Sequence, residues 1–284
     1  MKTDSGVRYI DTHERHSALI ASAVADIYNG VLDVVIVRKA FPADIMSSIA
    51  RNLDRPDAEK TWFRPNAVIP TEDIYILGTD TPATPTCKAP RGASLENYLE
   101  SASQYAGTAA KAVGTALAVE QELVSLLGEL SGNRKVGIVR SPDGRSYAPY
   151  TLRLLKEGKQ ISVHHDYHYP LALYRDLSQI LDTKTLVSFF LTLQRPEQGG
   201  GLIVYALNSD DPQQPQLPNG WWDVRAMEER YGQMRFDLFP GDFVLLASGR
   251  RFHRVEMVAG KTSRITLGGF LAFDKTREQV LFWS

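Results

Sequence analysis

Cysteine is almost missing: Cys87 is the single thiol in 284 residues, which excludes an internal disulfide and any metal cluster built on several thiolates. Charge of one sign is also lacking. Lys and Arg total 32 against 33 Asp and Glu, a net charge of -1, and the basic residues are scattered, so there is no cationic footprint for nucleic acid. Nor is there a long apolar run. The most apolar early segment, 18–37, is broken by Asp26, Asn29, Gly30 and Asp33, too often to cross a bilayer. The opening Met1-Lys2-Thr3-Asp4-Ser5 continues to Arg8, Asp11, Glu14 and Arg15 without the apolar core of a signal peptide. No internal repeat or low-complexity segment is visible. These absences, with a thiol content suited to a reducing compartment, lead to the expectation of a soluble, cytoplasmic protein. Its partner is expected to be a small molecule, with no nucleic acid and no membrane, and its oligomeric state is left open.

What is present is 43% hydrophobic residues, enough for a large core, and a chain of this length can be one domain when it is rich in strands. Up to Gly132 the grammar is mostly helical. Leu19, Ile20, Val24, Ile27 and Tyr28 recur at helical spacing before Asn29-Gly30, and a helix is expected over 16–28. Val31 to Val37 reads as a strand. A second helix starts at Phe41-Pro42-Ala43-Asp44, with Pro in its first turn; further helices are expected over 94–113 and 119–130, the last carrying the stripe Leu123, Leu126, Leu127 and Leu130. Between Arg55 and Arg91 the pattern loosens: five prolines from Pro65 to Pro90 surround one short apolar run, Ile74-Tyr75-Ile76-Leu77, a composition suited to a lid over a pocket, with disorder as the alternative. From 133 onward short apolar runs alternate with turns such as Ser141-Pro142-Asp143-Gly144 and Pro240-Gly241-Asp242. The fold expected is mainly β with helices: a double-stranded β-helix, the cupin-like jelly roll, over 133–284, braced by a mostly helical 1–132, in one domain spanning 1–284.

The densest chemistry lies in Ser162-Val163-His164-His165-Asp166-Tyr167-His168, which holds three of the six histidines. Alternation along a strand puts His164 and Asp166 on one face and His165 on the other. Such a pair offers an imidazole nitrogen and a carboxylate oxygen to a metal, and a distal His253 would complete the two-His, one-carboxylate arrangement of non-haem Fe(II) sites. The bland alternatives are surface histidines around a turn and a structural His253. Soon after, Arg264 and Thr266 share a face of the apolar strand ending Leu267-Gly268-Gly269-Phe270-Leu271-Ala272-Phe273. An inward guanidinium there needs an anion. A protein carboxylate would serve, and so would a bound dicarboxylate gripped by a bidentate fork.

The order His-x-Asp, distal His, then Arg-x-Thr resembles the Fe(II)/2-oxoglutarate dioxygenases. Closer still, Thr151-Leu152-Arg153-Leu154-Leu155-Lys156-Glu157-Gly158, Gly249-Arg250-Arg251-Phe252-His253-Arg254-Val255 and Phe282-Trp283-Ser284 are similar to the aliphatic halogenases of hapalindole-type alkaloid biosynthesis. Phe41-Pro42 and Gly200-Gly201-Leu202-Ile203-Val204-Tyr205 extend the likeness over most of the chain. One departure matters most: those halogenases carry Gly where this sequence has Asp166, and the gap admits chloride to iron. With Asp166 the chain resembles the hydroxylase relatives of that group, including those acting on N-acylated amino acids. The resemblance implies iron held by His164, Asp166 and His253, and 2-oxoglutarate held by Arg264 and Thr266. It also implies O2 as co-substrate, and hydroxylation of an unactivated C–H bond in an amino-acid derivative or natural-product intermediate. A desaturase or cyclase would share the same site, and a metal-containing jelly roll that only binds a ligand is the reading outside enzymes. Ile74, Ile76, His168 and Tyr169 are expected at the substrate pocket.

Overall fold

The computed structural model describes residues 2–4, 6–54, 64–65, 75–77, 95–114, 116–166 and 172–284. Strands β1 (Lys2–Asp4) and β2 (Val7–Thr12) lead to helix α1 (Ala23–Tyr28), β3 (Val34–Val37) and α2 (Ala43–Leu53). Short strands β4 (Arg64–Pro65) and β5 (Tyr75–Leu77) precede the longer helices α3 (Leu95–Val113) and α4 (Ala116–Leu130). There follow β6 (Lys135–Ile138), β7 (Thr151–Leu155), β8 (Ile161–His164), α5 (Ala172–Ile180), β9 (Val187–Gln194), β10 (Gln198–Gly199) and β11 (Leu202–Asn208). Helix α6 (Val224–Arg230) leads to β12 (Gln233–Phe236), β13 (Phe243–Leu246), β14 (Arg251–Val255), β15 (Val258–Ala259), β16 (Arg264–Phe273) and β17 (Gln279–Trp283).

Among the described residues the larger sheet runs β1-β2-β3-β13-β9-β16-β7-β5-β4, with β17 joining β16 to β6. A smaller sheet runs β12-β11-β14-β8. Between them pack Val7, Val34, Ile36, Val244 and Leu246 from one side and Leu202, Val204 and Phe236 from the other. The outer face of the larger sheet is covered by helices, and there the stripe Leu123, Leu126, Leu127 and Leu130 of α4 is buried. Truncating one such leucine to Ala costs about 2–5 kcal/mol. The architecture is thus the expected jelly roll braced by helices, with a cavity lined by residues of both sheets.

Three expectations need adjustment. Besides the expected strand at Val34–Val37, the segment before Gly132 supplies β1 and β2, which extend the larger sheet beyond β3. Its signal is the alternation of buried Val7 and Tyr9 with the more exposed Arg8 and Ile10, a period of two. The helix expected over 16–28 spans only Ala23–Tyr28; its first part is a series of three-residue turns such as Ile20 N–H to Ser17 O, 3.1 Å, which leaves Leu19 exposed. Pro42 is the cap of α2 in extended backbone, φ -61° and ψ 132°, and stands one residue before its first turn. The lid expected over 55–91 lies outside the described residues apart from β4 and β5.

Candidate metal centre and its cavity

His164 ends β8 and stands directly opposite His253 of β14 in the ladder, so the two imidazoles emerge on one face. Their ring centroids are 4.2 Å apart. Each Nδ1 lies against the carbonyl two residues back: His164 to Ser162 O at 2.7 Å and His253 to Arg251 O at 3.0 Å. A carbonyl only accepts, so each Nδ1 carries the proton and each Nε2 keeps its lone pair. Those two Nε2 atoms face Asp166, at 3.9 Å from Oδ1 for His164 and 4.0 Å from Oδ2 for His253. One ligand atom from each of the three lies within 4.8 Å of the others.

Asp166 reaches this position differently from the strand-parity expectation. Strand β8 stops at His164, and Asp166 sits in a bend whose N–H donates to Ser248 O at 2.8 Å. The expected convergence is present, set by that backbone bond rather than by the pleat. His165 does point away, its ring 4.6 Å from Phe252 and 5.9 Å from Trp222.

Electrostatics suit a cation. Burial, helped by His164, pushes His253 down to about 3, so it is neutral at physiological pH, as a ligating imidazole must be. Burial alone would raise Asp166, but the facing His253 and His164 outweigh it and hold the carboxyl below its ordinary value. Two imidazole Nε2 atoms and one buried carboxylate, all at one side of a cavity, fit a divalent iron with positions to spare.

That cavity, about 120 Å³, lies between the sheets and is lined on the far side by Arg153, Arg264, Thr266 and Gly268. Arg264 is buried at 5% exposure. Its Nε donates to Gly200 O at 3.0 Å, and among the described residues it forms no ion pair. Burial and the nearby charge of Arg153 push it down to about 10. Arg153 is the residue that sequence reasoning missed. It pairs directly with Thr266 across β7–β16, is half-buried, and its side chain forms no ion pair among the described residues. The pairing of two apolar strands, each with an Arg at an inward position, was its available signal. Ile76 pairs with Arg153 in the backbone ladder. Ile74, His168 and Tyr169 lie outside the described residues.

Comparison with known proteins adds a family. The model of the carrier-protein-independent halogenase WelO5 matches residues 7–284. Among solved structures the chain is similar to a novel N-substituted L-amino acid dioxygenase from Burkholderia ambifaria AMMD, at 15% identity over 93% of this chain and 91% of that one, TM-score 0.50. It is also similar to a prolyl hydroxylase from Trichoplax adhaerens, in complex with a hypoxia inducible factor oxygen degradation domain peptide fragment, at 12% identity over 93% of both chains, TM-score 0.50. At such identities the likeness is one of fold. No curated protein matches the sequence.

Proposed function

The chain belongs to the carrier-protein-independent halogenase family, and from that premise we propose that it is a hydroxylase within it, oxidising an unactivated C–H bond of a small molecule. Fe(II), 2-oxoglutarate and O2 are its cofactor and co-substrates. In this reading His164, Asp166 and His253 hold the iron through two Nε2 atoms and a carboxylate. When bound, the iron supplies the centre at which O2 is activated as 2-oxoglutarate is decarboxylated. In balance, one oxygen atom of O2 enters succinate, the other enters the substrate C–H bond, and CO2 leaves.

The remaining work falls to side chains of the cavity wall. Arg264, its Nε already engaged by Gly200, has its terminal nitrogens left for the co-substrate's far carboxylate, and Thr266 adds a hydroxyl. Arg153 gives the wall a second positive charge, matched to the second charge of a dianion. The Nδ1 bonds to Ser162 and Arg251 keep both imidazoles in the ligating tautomer.

The observation that carries hydroxylation over halogenation is Asp166. Its carboxylate is buried between the two histidines at 3.9 and 4.0 Å, where the resembling halogenases have Gly. The family match favours chlorination as a second reading, but a protein carboxylate occupies the place and charge a halide would take. Incubation with Fe(II), 2-oxoglutarate, O2 and acylated amino acids or alkaloid intermediates tests the proposal. Iron-dependent succinate with product heavier by one oxygen is expected. Succinate with a desaturated or cyclised product would replace hydroxylation, and iron without any turnover across the panel would favour a binding protein.

A further inference from the structure

Asp33 is fully buried, ends the turn before β3, and takes no part in the cavity. Three guanidiniums converge on it. Arg251 forks onto it, Nε to Oδ1 at 3.0 Å and NH2 to Oδ2 at 3.1 Å. Arg250 donates to Oδ1 at 2.9 Å, and Arg8 donates from its backbone N–H and its side chain at 2.9 to 3.3 Å. The Asp33 carbonyl also accepts the N–H of Ala247 at 2.9 Å. Asp33 thereby ties down both ends of the short turn 247–251 between β13 and β14.

That turn carries two anchors of the candidate centre. The Arg251 carbonyl receives the Nδ1 proton of His253 at 3.0 Å, and the Ser248 carbonyl receives the N–H of Asp166 at 2.8 Å. The turn is also held against the sheet: a Cβ on Gly249 would come within 2.7 Å of Leu186 N. Stability alone does not account for the cluster. It places three cations against one buried anion, a Born cost that packed apolar side chains would avoid, and it leaves Arg250 Nε buried with no partner among the described residues. A rigid carboxylate–guanidinium fork does, however, fix a backbone carbonyl in space as apolar packing would not.

We infer that Asp33 is a positioning residue for the metal centre: through Arg251 and Arg250 it sets the 247–251 turn, and the turn sets His253 and Asp166. The inference rests on the proposal that those two residues hold the metal. The test is anaerobic titration of the full chain with Co(II), reading both the dissociation constant and the visible ligand-field bands, in wild type, Asp33→Asn, Arg251→Gln, Arg8→Gln and His253→Ala. Circular dichroism checks that each is folded. Asp33→Asn and Arg251→Gln should weaken Co(II) binding about 10- to 100-fold, the range for residues that orient ligands, and should shift the bands. Arg8→Gln disturbs the same cluster but leaves the fork to Arg251, so its affinity should stay within about threefold. Folded Asp33→Asn and Arg251→Gln with wild-type affinity and bands would overturn the inference, as would an Arg8→Gln loss equal to theirs. If Asp33→Asn does not fold, the contrast of Arg251→Gln with Arg8→Gln decides. Undiminished binding in His253→Ala would refute the metal assignment itself, whereas loss there with none in Asp33→Asn would refute only the positioning role.

Discussion

Replacing Arg264 by Met keeps an unbranched side chain of similar length in the wall and removes only the charge and its donors. In the proposed complex this strips the partner from a buried carboxylate, a loss of about 3–5 kcal/mol, or roughly 10²- to 10³-fold and more in affinity at about 1.4 kcal/mol per tenfold. Arg153 remains in the same cavity and still attracts the dianion, so the expected rise in KM for 2-oxoglutarate is on the order of 100-fold, the low end. The protein without co-substrate should respond in the opposite sense. There Arg264 is an unpaired cation, pushed down to about 10 by burial and by Arg153, and its removal should leave Tm unchanged or higher. Two assays read the opposed signs. Succinate release against 2-oxoglutarate concentration gives KM. Thermal melting with metal gives the ligand's stabilisation, about 2.7 kcal/mol for wild type at 100 times its Kd and about 0.4 kcal/mol for the variant at the same concentration. An unchanged KM, or a Tm several degrees lower without ligand, would refute the reasoning and assign Arg264 to a structural contact.

The two adjacent histidines should separate cleanly: His164→Ala should lose stoichiometric Fe(II), while His165→Ala, whose ring packs on Phe252 and Trp222, should keep it at some cost in stability. Equilibrium dialysis decides, and iron retained in the first but lost in the second would reverse the assignment. Gly200 has φ +68°, and a Cβ there would meet Pro196 at 2.7 Å and Arg264 Cδ at 3.1 Å, so Gly200→Ala should raise KM for 2-oxoglutarate with Fe(II) affinity unmoved. An unmoved KM would show that the wall gives without displacing Arg264. Without metal, His253 is held neutral in the fold, down to about 3 from 6.5, while the unfolded chain takes up the proton below its ordinary value. Stability should therefore be full above about pH 6.5 and fall as pH drops toward 4. Below about pH 4 the depressed Asp33, at about 2, adds a second loss of the same sign. Denaturant midpoints against pH in wild type and His253→Gln test this, and equal slopes between pH 6.5 and 4 would contradict it.

The convergence of His164, Asp166 and His253 was legible because the residues follow strong local rules. His164 ends a short strand and His253 sits in another, and Arg264 with Thr266 holds alternate positions of a long apolar one, so residue type and period together placed them on one cavity. What failed was whatever depends on strand pairing. Nothing local marks Arg153 as a cavity residue until β7 pairs with β16, and Asp33 resembles an ordinary turn aspartate until Arg8, Arg250 and Arg251 reach it from distant segments. Asp166 was found for a partly wrong reason, since its place comes from Ser248 across the fold rather than from the pleat of β8. In the fold, the buried helices announced themselves through the leucine stripe of α4. The early strand β2 did not, because only Val7 and Tyr9 of its six residues are fully buried and its last two, Asp11 and Thr12, are polar.

The central claim is that Asp166 completes an iron site that inserts oxygen, and mass spectrometry of products formed in the presence of abundant chloride tests it most directly. Wild type should give substrate heavier by one oxygen with stoichiometric succinate and no chlorinated product. Asp166→Gly, which removes both the carboxylate and its charge from between His164 and His253, should lose most hydroxylation and, with a substrate placed near the opened position, give traces of chlorinated product. Chlorinated product from the wild-type protein would contradict the account, because it would mean that the Asp166 carboxylate is not an iron ligand.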